Sequence, residues 1–284
     1  MKYIIFFLLI YSISPALRSQ DMGEQQKKLV IDEHYKKALE AYSRKDYPSA
    51  VNHWSEIVRL DPEQQSAKDL LRKARLELAD HNKKKEKEAG GHIVEGRYAK
   101  AKDIVQILSV SDPTNARYKE LFSRLDEVAA VAPEVSKGSP GTVRLIRTAM
   151  KYFLSRQENP RLAITTLRYA RQRDPKSKEV EGLLGVLEGR FPKEAQEEVP
   201  IEGLDLARQK LEVALTHIYD AKYTAAIQEC NEVLILEPDN VDALKRMGSA
   251  YYKLKNKPKA REVWRRAQRL APQDKELKAF LASQ

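Results

Sequence analysis

The sequence predicts an all-α fold, an α-solenoid built from helical hairpins with extra helices inserted between them. Three observations predict it. Charged residues make up 32% of the 284 residues and Gly and Pro number only 11 and 13, a balance typical of charge-rich helices rather than of a β-sandwich or barrel. Long stretches rich in Ala, Glu, Lys, Leu and Arg favour the helix. The third observation is an internal repeat, which decides the architecture.

The repeat is marked by proline and by small residues. Five prolines have an alanine twelve residues upstream: Pro62, Pro113, Pro175, Pro238 and Pro272 follow Ala50, Ala101, Ala163, Ala226 and Ala260. A second small residue stands twelve positions before four of these alanines, at Ala38, Ala89, Ala214 and Gly248, and Lys151 stands there in the remaining copy. Small residues let two helices cross closely, and proline stops a helix. Each copy therefore predicts a helical hairpin.

These copies resemble the tetratricopeptide repeat family, whose 34-residue unit is a pair of antiparallel helices. The resemblance is closest over residues 207–240 and 241–274, which are adjacent, and nearly as close over 31–64. It is weaker over 82–115 and weakest over 144–177, the copy with Lys151. The resemblance implies stacked hairpins, a concave groove that holds extended or helical peptides, protein partners and no catalysis.

Extra helices are required because the closing prolines are 51, 62, 63 and 34 residues apart. Apolar residues at helical spacing predict helices over 65–87 and 115–131, and the segment 275–282 is predicted to be the capping helix that repeat arrays need.

These elements predict four parts after the N-terminal segment. Residues 20–132 hold the first repeats with their inserted helices, and 133–141, rich in Pro and Gly, form a linker. Residues 142–202 hold the degenerate repeat and an acidic connector. The C-terminal pair of repeats and the capping helix occupy 203–284.

The N-terminal segment predicts export. Residues 1–19 have a positive start, an apolar run of eleven residues and small residues before a cleavage point between 16 and 19, the pattern of a secretory signal peptide. An uncleaved anchor is the alternative. The single cysteine, Cys230, excludes an intramolecular disulfide. We expect an exported bacterial protein in the periplasm or associated with the envelope.

Motifs for chemistry are missing from the sequence. There is no glycine loop followed by GKS or GKT, no HExxH, no paired CxxC and no GxSxG, so we expect no catalysis, no cofactor and no metal. No two histidines have the one-turn spacing of a metal-binding helix face: they are His34, His53, His81, His92 and His217. Trp54, Cys230 and Trp264 occupy equivalent places in second helices and are predicted to be core residues.

Charge is unevenly distributed within a formal net charge of +10. Residues 143–178 carry ten basic and two acidic residues, and 243–278 carry twelve and three, whereas 179–205 carry eight acids and two bases. One interpretation is that the acidic connector neutralises a basic repeat within the chain. The other is a basic surface that attracts an acidic partner.

Candidate binding residues lie in the C-terminal repeats. Lys245, Ser249, Tyr252 and Lys253 share one face of a helix whose other face, with Leu244 and Met247, is predicted to be core. By the resemblance, that face lines the groove together with Leu211, Leu215 and Ile218 of the preceding repeat, where apolar side chains replace the Lys, Asn and Arg clamp of some family members. The second helix carries a basic ridge, Arg261, Arg265 and Arg269.

The sequence thus predicts an exported scaffold or adaptor that assembles an envelope complex by binding a segment of another protein. The alternative is direct binding of an anionic envelope polymer or lipid surface through the basic stretches. Nucleic acid is a poor fit because the ridge lacks interleaved aromatic side chains.

Overall fold

The computed structural model describes residues 23–197, 201 and 203–282, so the predicted signal peptide lies outside the described residues. Within that range there are fourteen helices and no strand, which confirms the all-α repeat fold. They are α1 (Glu24–Ser43), α2 (Tyr47–Leu60), α3 (Gln65–Val94), α4 (Tyr98–Ser111), α5 (Ala116–Val131), α6 (Pro140–Leu154), α7 (Pro160–Arg173), α8 (Lys178–Arg190), α9 (Pro192–Glu197), α10 (Leu206–Tyr219), α11 (Tyr223–Leu236), α12 (Val241–Lys253), α13 (Lys257–Leu270) and α14 (Lys275–Ala282). None of the helices described is both long and apolar enough to cross a membrane.

The five predicted hairpins are present, and each second helix ends where its proline predicts. Helices α2, α4, α7, α11 and α13 all end two residues before their closing proline. Proline disfavours the helical conformation of the residue before it and has no N–H to donate, which places the end of the helix at that point. At the other end, Asp46, Asn159 and Asn256 cap α2, α7 and α13 through side-chain oxygens.

The small residues lie at the helix crossings. The five alanines that precede the prolines are fully buried, and so are Ala38 and Ala214. Gly248 packs directly under the indole of Trp264, whose Nε1 donates to the carbonyl of Lys245 at 3.3 Å. The predicted core residues Trp54, Trp264 and Cys230 are buried, and burial raises the pKa of the Cys230 thiol to about 12.

A left-handed residue makes the tight turn inside four of the hairpins. The φ angles are 62° at Lys45, 76° at Gly96, 56° at Ala221 and 60° at Lys255. Each of these residues stands five positions before the alanine that precedes the closing proline of its copy by twelve residues. These turns are three residues long. In the second hairpin the left-handed residue is Gly96, and glycine adopts this conformation without strain, whereas the lysines and the alanine of the other three turns do so at a cost.

The turn between α6 and α7 differs, and it explains the degenerate copy. This turn, residues 155–159, is two residues longer than the other four. The crossing residue of α6 is correspondingly two positions earlier, where Ala149 is fully buried, and Lys151 is exposed. The sequence pattern therefore placed the small residue of this copy two positions too late.

The chain divides into two compact units, one comprising residues up to Lys87 with Val110–Thr114 and the other comprising Glu88–Ser109 with Asn115 onwards. In the first, α1, α2 and the start of α3 enclose a core around Trp54, which meets Tyr35 edge to face at 4.6 Å. In the second, the largest core runs from the end of α3 to α12, and a smaller one lies between α12, α13 and α14.

The inserted helices are present, with one difference. The helix predicted over 65–87 does not end there but continues to Val94, so that it also supplies the first helix of the second hairpin. The predictions over 115–131 and 275–282 are confirmed by α5, capped by Asn115, and by α14. The predicted linker, 133–141, overlaps a non-helical segment, 132–139, which lies within the second unit, and its last two residues begin α6. The predicted domain boundaries stay a prediction.

Candidate partner-binding groove

Helix α12 separates its two faces as the sequence predicts. Leu244 and Met247 are buried, whereas Tyr252 is 39% exposed and Lys253 is exposed. Ser249 lies between these extremes, and its hydroxyl donates to the Lys245 carbonyl one turn earlier. The face that can meet a partner is therefore concentrated at the C-terminal end of α12.

Lys245 does not offer a free ammonium group to a partner. Its Nζ lies 3.0 Å from Oδ2 of Asp274 and also contacts Glu276, at the start of α14. Burial disfavours the charged form, but the hydrogen bonds with Glu276 and Asp274 outweigh it and raise the pKa of Lys245. The predicted binding role of this residue is corrected to a link between α12 and the capping helix.

Helix α10 contributes less apolar surface than predicted. Leu211 is only 6% exposed because its side chain belongs to the large core, and its carbonyl accepts a hydrogen bond from Arg246. Its assignment to the groove is corrected on that ground. Leu215 and Ile218 are half-buried and stay available at the surface.

Tyr219 is an exposed aromatic residue that the sequence reasoning missed. It is 79% exposed at the end of α10. The repeat contains the signal that could have found it, since Tyr219 stands 34 residues before Lys253 and so occupies the equivalent place in the preceding copy. Exposed tyrosine adds contact area at low entropic cost, and it is enriched in protein interfaces.

The basic ridge lies on α13, away from the buried Trp264. Arg265 and Arg269 are exposed, and with Arg261 and Pro258 they line a shallow depression of about 210 Å³. Glu262 lies in the same depression. Within the described part of the chain the ridge is thus an open cationic surface that contains one acid.

The two basic stretches differ in how their charge is compensated. In the first, arginines of α7 pair with acids of the connector and of α11: Arg168 with Glu188 at 2.7 Å, Arg173 with Asp205 at 3.4 Å and with Glu237 at 2.5 Å, and Arg161 with Glu232. In the second basic stretch, Asp274 and Glu276 both form ion pairs with Lys245. The acidic connector therefore neutralises part of the first stretch, and in the second stretch Lys245 and Arg246 of α12 are paired with acids as well.

A buried ionic cluster joins the third hairpin to the fourth, beneath the groove. The Lys210 side chain is 2% exposed, and its Nζ lies 2.6 Å from Glu232 and 3.3 Å from Glu229. Glu232 also contacts Arg161 of α7. Burial raises the pKa of Glu232, but its hydrogen bonds with Arg161 and Lys210 lower it by more, so it remains ionised. This cluster fixes α10 against α7 and α11.

Two of the five histidines meet although they are 19 residues apart in the sequence. Nδ1 of His34 on α1 and Nδ1 of His53 on α2 are 3.0 Å apart, so one ring donates and the other accepts. Burial, then the neighbouring His34 and Lys37, lower the pKa of His53. Within the described residues, no group of three or more His, Cys, Asp or Glu side chains could hold a metal ion.

The comparisons agree with the repeat at the C-terminal end of the chain. Residues 218–283 match a family model described as tetratricopeptide repeat, a segment that includes α11 to α14. One solved structure that matches is the crystal structure of the P58(IPK) TPR domain, with 15% identity, coverage of 89% of this chain and 96% of that chain, and a TM-score of 0.28. The search of curated proteins gave no match. The C-terminal region of the chain is thus similar to tetratricopeptide repeats, within an all-α array of helical hairpins.

Proposed function

We propose that the protein is an exported, non-catalytic scaffold or adaptor that binds a segment of another protein and helps to assemble a cell-envelope complex, such as a secretion, pilus, motility or outer-membrane system. The observation that carries the proposal is the exposed set Tyr219, Tyr252 and Lys253, with the half-buried Ile218, at the ends of α10 and α12. Aromatic and aliphatic side chains give a partner apolar area to bury, and the adjacent cation speeds encounter with an acidic segment.

Site-specific photocrosslinking in cells of the source organism tests the binding surface. A benzophenone amino acid replaces Tyr219 or Tyr252 in the groove, and Arg265 or Arg269 on the ridge serves as the control. We expect the same protein to be crosslinked from both groove positions and to be lost when Lys253→Glu is added. Crosslinks from the ridge alone would contradict the proposal.

Export is tested separately, by mass spectrometry of the protein isolated from its own cells. We expect a mature N-terminus after one of residues 16 to 19, in an envelope fraction. A chain that retains Met1 in the cytoplasm would reject export and leave the groove proposal intact.

The second candidate is binding of an anionic envelope polymer or lipid surface through the basic residues of α13. The exposed arginines Arg265 and Arg269 of the ridge favour it. Each exposed Lys or Arg near an anionic surface contributes about 1 kcal/mol, and salt screens that attraction. Retention on anionic vesicles that is lost at high salt, and lost with Arg265→Glu and Arg269→Glu together, would favour this function over the groove.

A further inference from the structure

A depression of about 460 Å³ lies between the end of α3 and one side of α6, wholly within the second unit. Volumes of this size accommodate small molecules. One side is apolar and is formed by Val94, Pro140 and Val143. The other side carries three cations, Arg144, Arg147 and Lys151, spaced along α6. No acidic residue lines the depression.

The two arginines are held in place by backbone carbonyls rather than by acids. Arg144 donates to the carbonyl of Ile235 at 2.9 Å and to that of Leu236, at the end of α11. Arg147 donates through Nη2 to the carbonyl of Val135 at 2.9 Å. Carbonyl oxygens orient a guanidinium group but do not neutralise its charge. The arginines are therefore fixed and still cationic.

Arg147 also retains a donor without a partner. Its Nε is buried and has no hydrogen-bond partner among the described residues. This atom is close to Gly96, where a Cβ would lie 3.0 Å from Nε and 2.9 Å from the Val135 carbonyl oxygen. Neither Gly96 nor Val135 lines the depression, so Arg147 contributes its charge to the depression rather than this buried donor.

Lys151 completes the cationic side and is the residue that departs from the repeat. The longer turn after α6 moves the helix crossing to Ala149, so that Lys151 is exposed, and no ion pair is formed by Lys151 in the described structure. This contrasts with Arg168 and Arg173 in the same basic stretch, which are paired with acids. Lys151 therefore contributes a positive charge to the lining of the depression that no acidic side chain among the described residues neutralises.

The apolar side determines the kind of anion. Val94, the last residue of α3, is 68% exposed, and Val143, which also lines the depression, is half-buried. A bare inorganic ion would leave this apolar surface in water, whereas an apolar chain would cover it. We propose that the depression binds an anionic amphiphile, a carboxylate or phosphate head held by Arg147 and Lys151 with an apolar chain over Val94 and Val143.

The test uses the full chain and decyl phosphate, measured below its micelle concentration by isothermal titration calorimetry. We expect saturable binding of one equivalent, weakened about tenfold or more by Lys151→Glu, which replaces an attraction by a repulsion. Lys176→Glu is the matched control, because Lys176 is an exposed lysine of the same basic stretch outside the depression. It should change the affinity by less than about twofold.

Further arms separate the contributions of head and chain. Decanol, which has the chain without the charge, and inorganic phosphate, which has the charge without the chain, should each bind at least about tenfold more weakly than decyl phosphate. Val94→Asn, which keeps the site accessible, should reduce the affinity for decyl phosphate and not for inorganic phosphate. Vesicles of phosphatidylglycerol, compared with the soluble probe, show whether the amphiphile is taken from a membrane or from solution.

The proposal is overturned if decyl phosphate does not bind, if Lys151→Glu and Lys176→Glu weaken it equally, or if decanol binds as tightly. It does not depend on the groove at α10 and α12, because the two surfaces share no residue.

Discussion

A side chain at Gly248 cannot coexist with the indole of Trp264. A Cβ at Gly248 would lie 2.8 Å from Cε2 of Trp264 and closer still to Nε1 and Cδ1. The indole is fixed on its other side by Phe280, whose ring stacks on it with centroids 5.0 Å apart, and by the hydrogen bond from Nε1 to Lys245. The fifth hairpin and the capping helix therefore depend on the absence of a side chain at this position.

Gly248→Ala should consequently destabilise the protein in spite of the higher helix propensity of alanine. Overpacking a well-filled core costs about 1–3 kcal/mol. Chemical denaturation followed by circular dichroism measures the change in the free energy of unfolding. The control is Gly185→Ala in α8, where a Cβ would meet nothing within 4 Å and where alanine should be neutral or stabilising. Equal effects of the two substitutions would contradict the packing argument.

Ala221→Gly should stabilise the fourth hairpin. Ala221 has a φ of 56°, in the left-handed region that costs an L-residue about 1–2 kcal/mol and glycine almost nothing. Part of this gain is offset by the greater entropy of glycine in the unfolded chain, which leaves an increase of about 0.5–1 kcal/mol in the free energy of unfolding.

The reverse substitution at the equivalent turn is the control. Gly96 has a φ of 76°, and a Cβ there would lie 2.9 Å from the Val135 carbonyl oxygen, so Gly96→Ala should be destabilising. If Ala221→Gly lowered the free energy of unfolding by the same amount as Gly96→Ala, the assignment of strain to the left-handed turns would be wrong.

The sequence predicted the parts of this fold that depend on local chemistry. The five closing prolines, the alanines before them and the capping helix were all placed correctly, because helix termination and close crossing are determined by residues that are adjacent or twelve positions apart. The binding role of the groove residues stays a prediction, and the surroundings of two of them could not be judged from the sequence. The burial of Leu211 and the pairing of Lys245 with Asp274 depend on contacts with other helices. The spacing of residues within one repeat does not predict such contacts.

Stability should depend on pH through the His34 and His53 pair. Because the pKa of His53 is lowered by folding, the unfolded chain takes up the proton first as the pH falls. The contribution of the neutral pair is fully present above the unfolded pKa of about 6.5 and is lost as the pH falls towards the lower, folded pKa. Glu33 and Asp46 act in the opposite direction, and burial, His34 and Lys37 outweigh them.

Thermal unfolding at pH 8 and pH 5 measures this dependence. Compared with the wild type, His53→Gln should lose less stability between the two pH values. His81→Gln is the control, since His81 packs edge to face on Tyr47 at 5.9 Å and has no histidine beside it. An unchanged pH dependence in His53→Gln would show that the pair does not titrate in this range.

Lys210 should be more important for stability than any exposed ion pair of the chain. Its side chain is 2% exposed and lies against Glu232, which is 6% exposed. Lys210→Met would remove one of the two cations that contact a buried carboxylate, leaving Arg161 as its ionic partner. Breaking one side of a buried pair typically costs about 3–5 kcal/mol. We expect a loss at the lower end of that range, because Arg161 still pairs with Glu232.

A double-mutant cycle distinguishes a buried charge from simple loss of packing. Lys210→Met combined with Glu232→Leu removes both charges and keeps similar volume, so the double variant should be more stable than the sum of the two single changes predicts. Lys37→Met is the control, since Lys37 and Glu33 form an exposed pair at 2.6 Å that contributes little. If the two single changes were additive, the connection between α10 and α11 would be one of apolar packing, and the ionic cluster would be incidental to it.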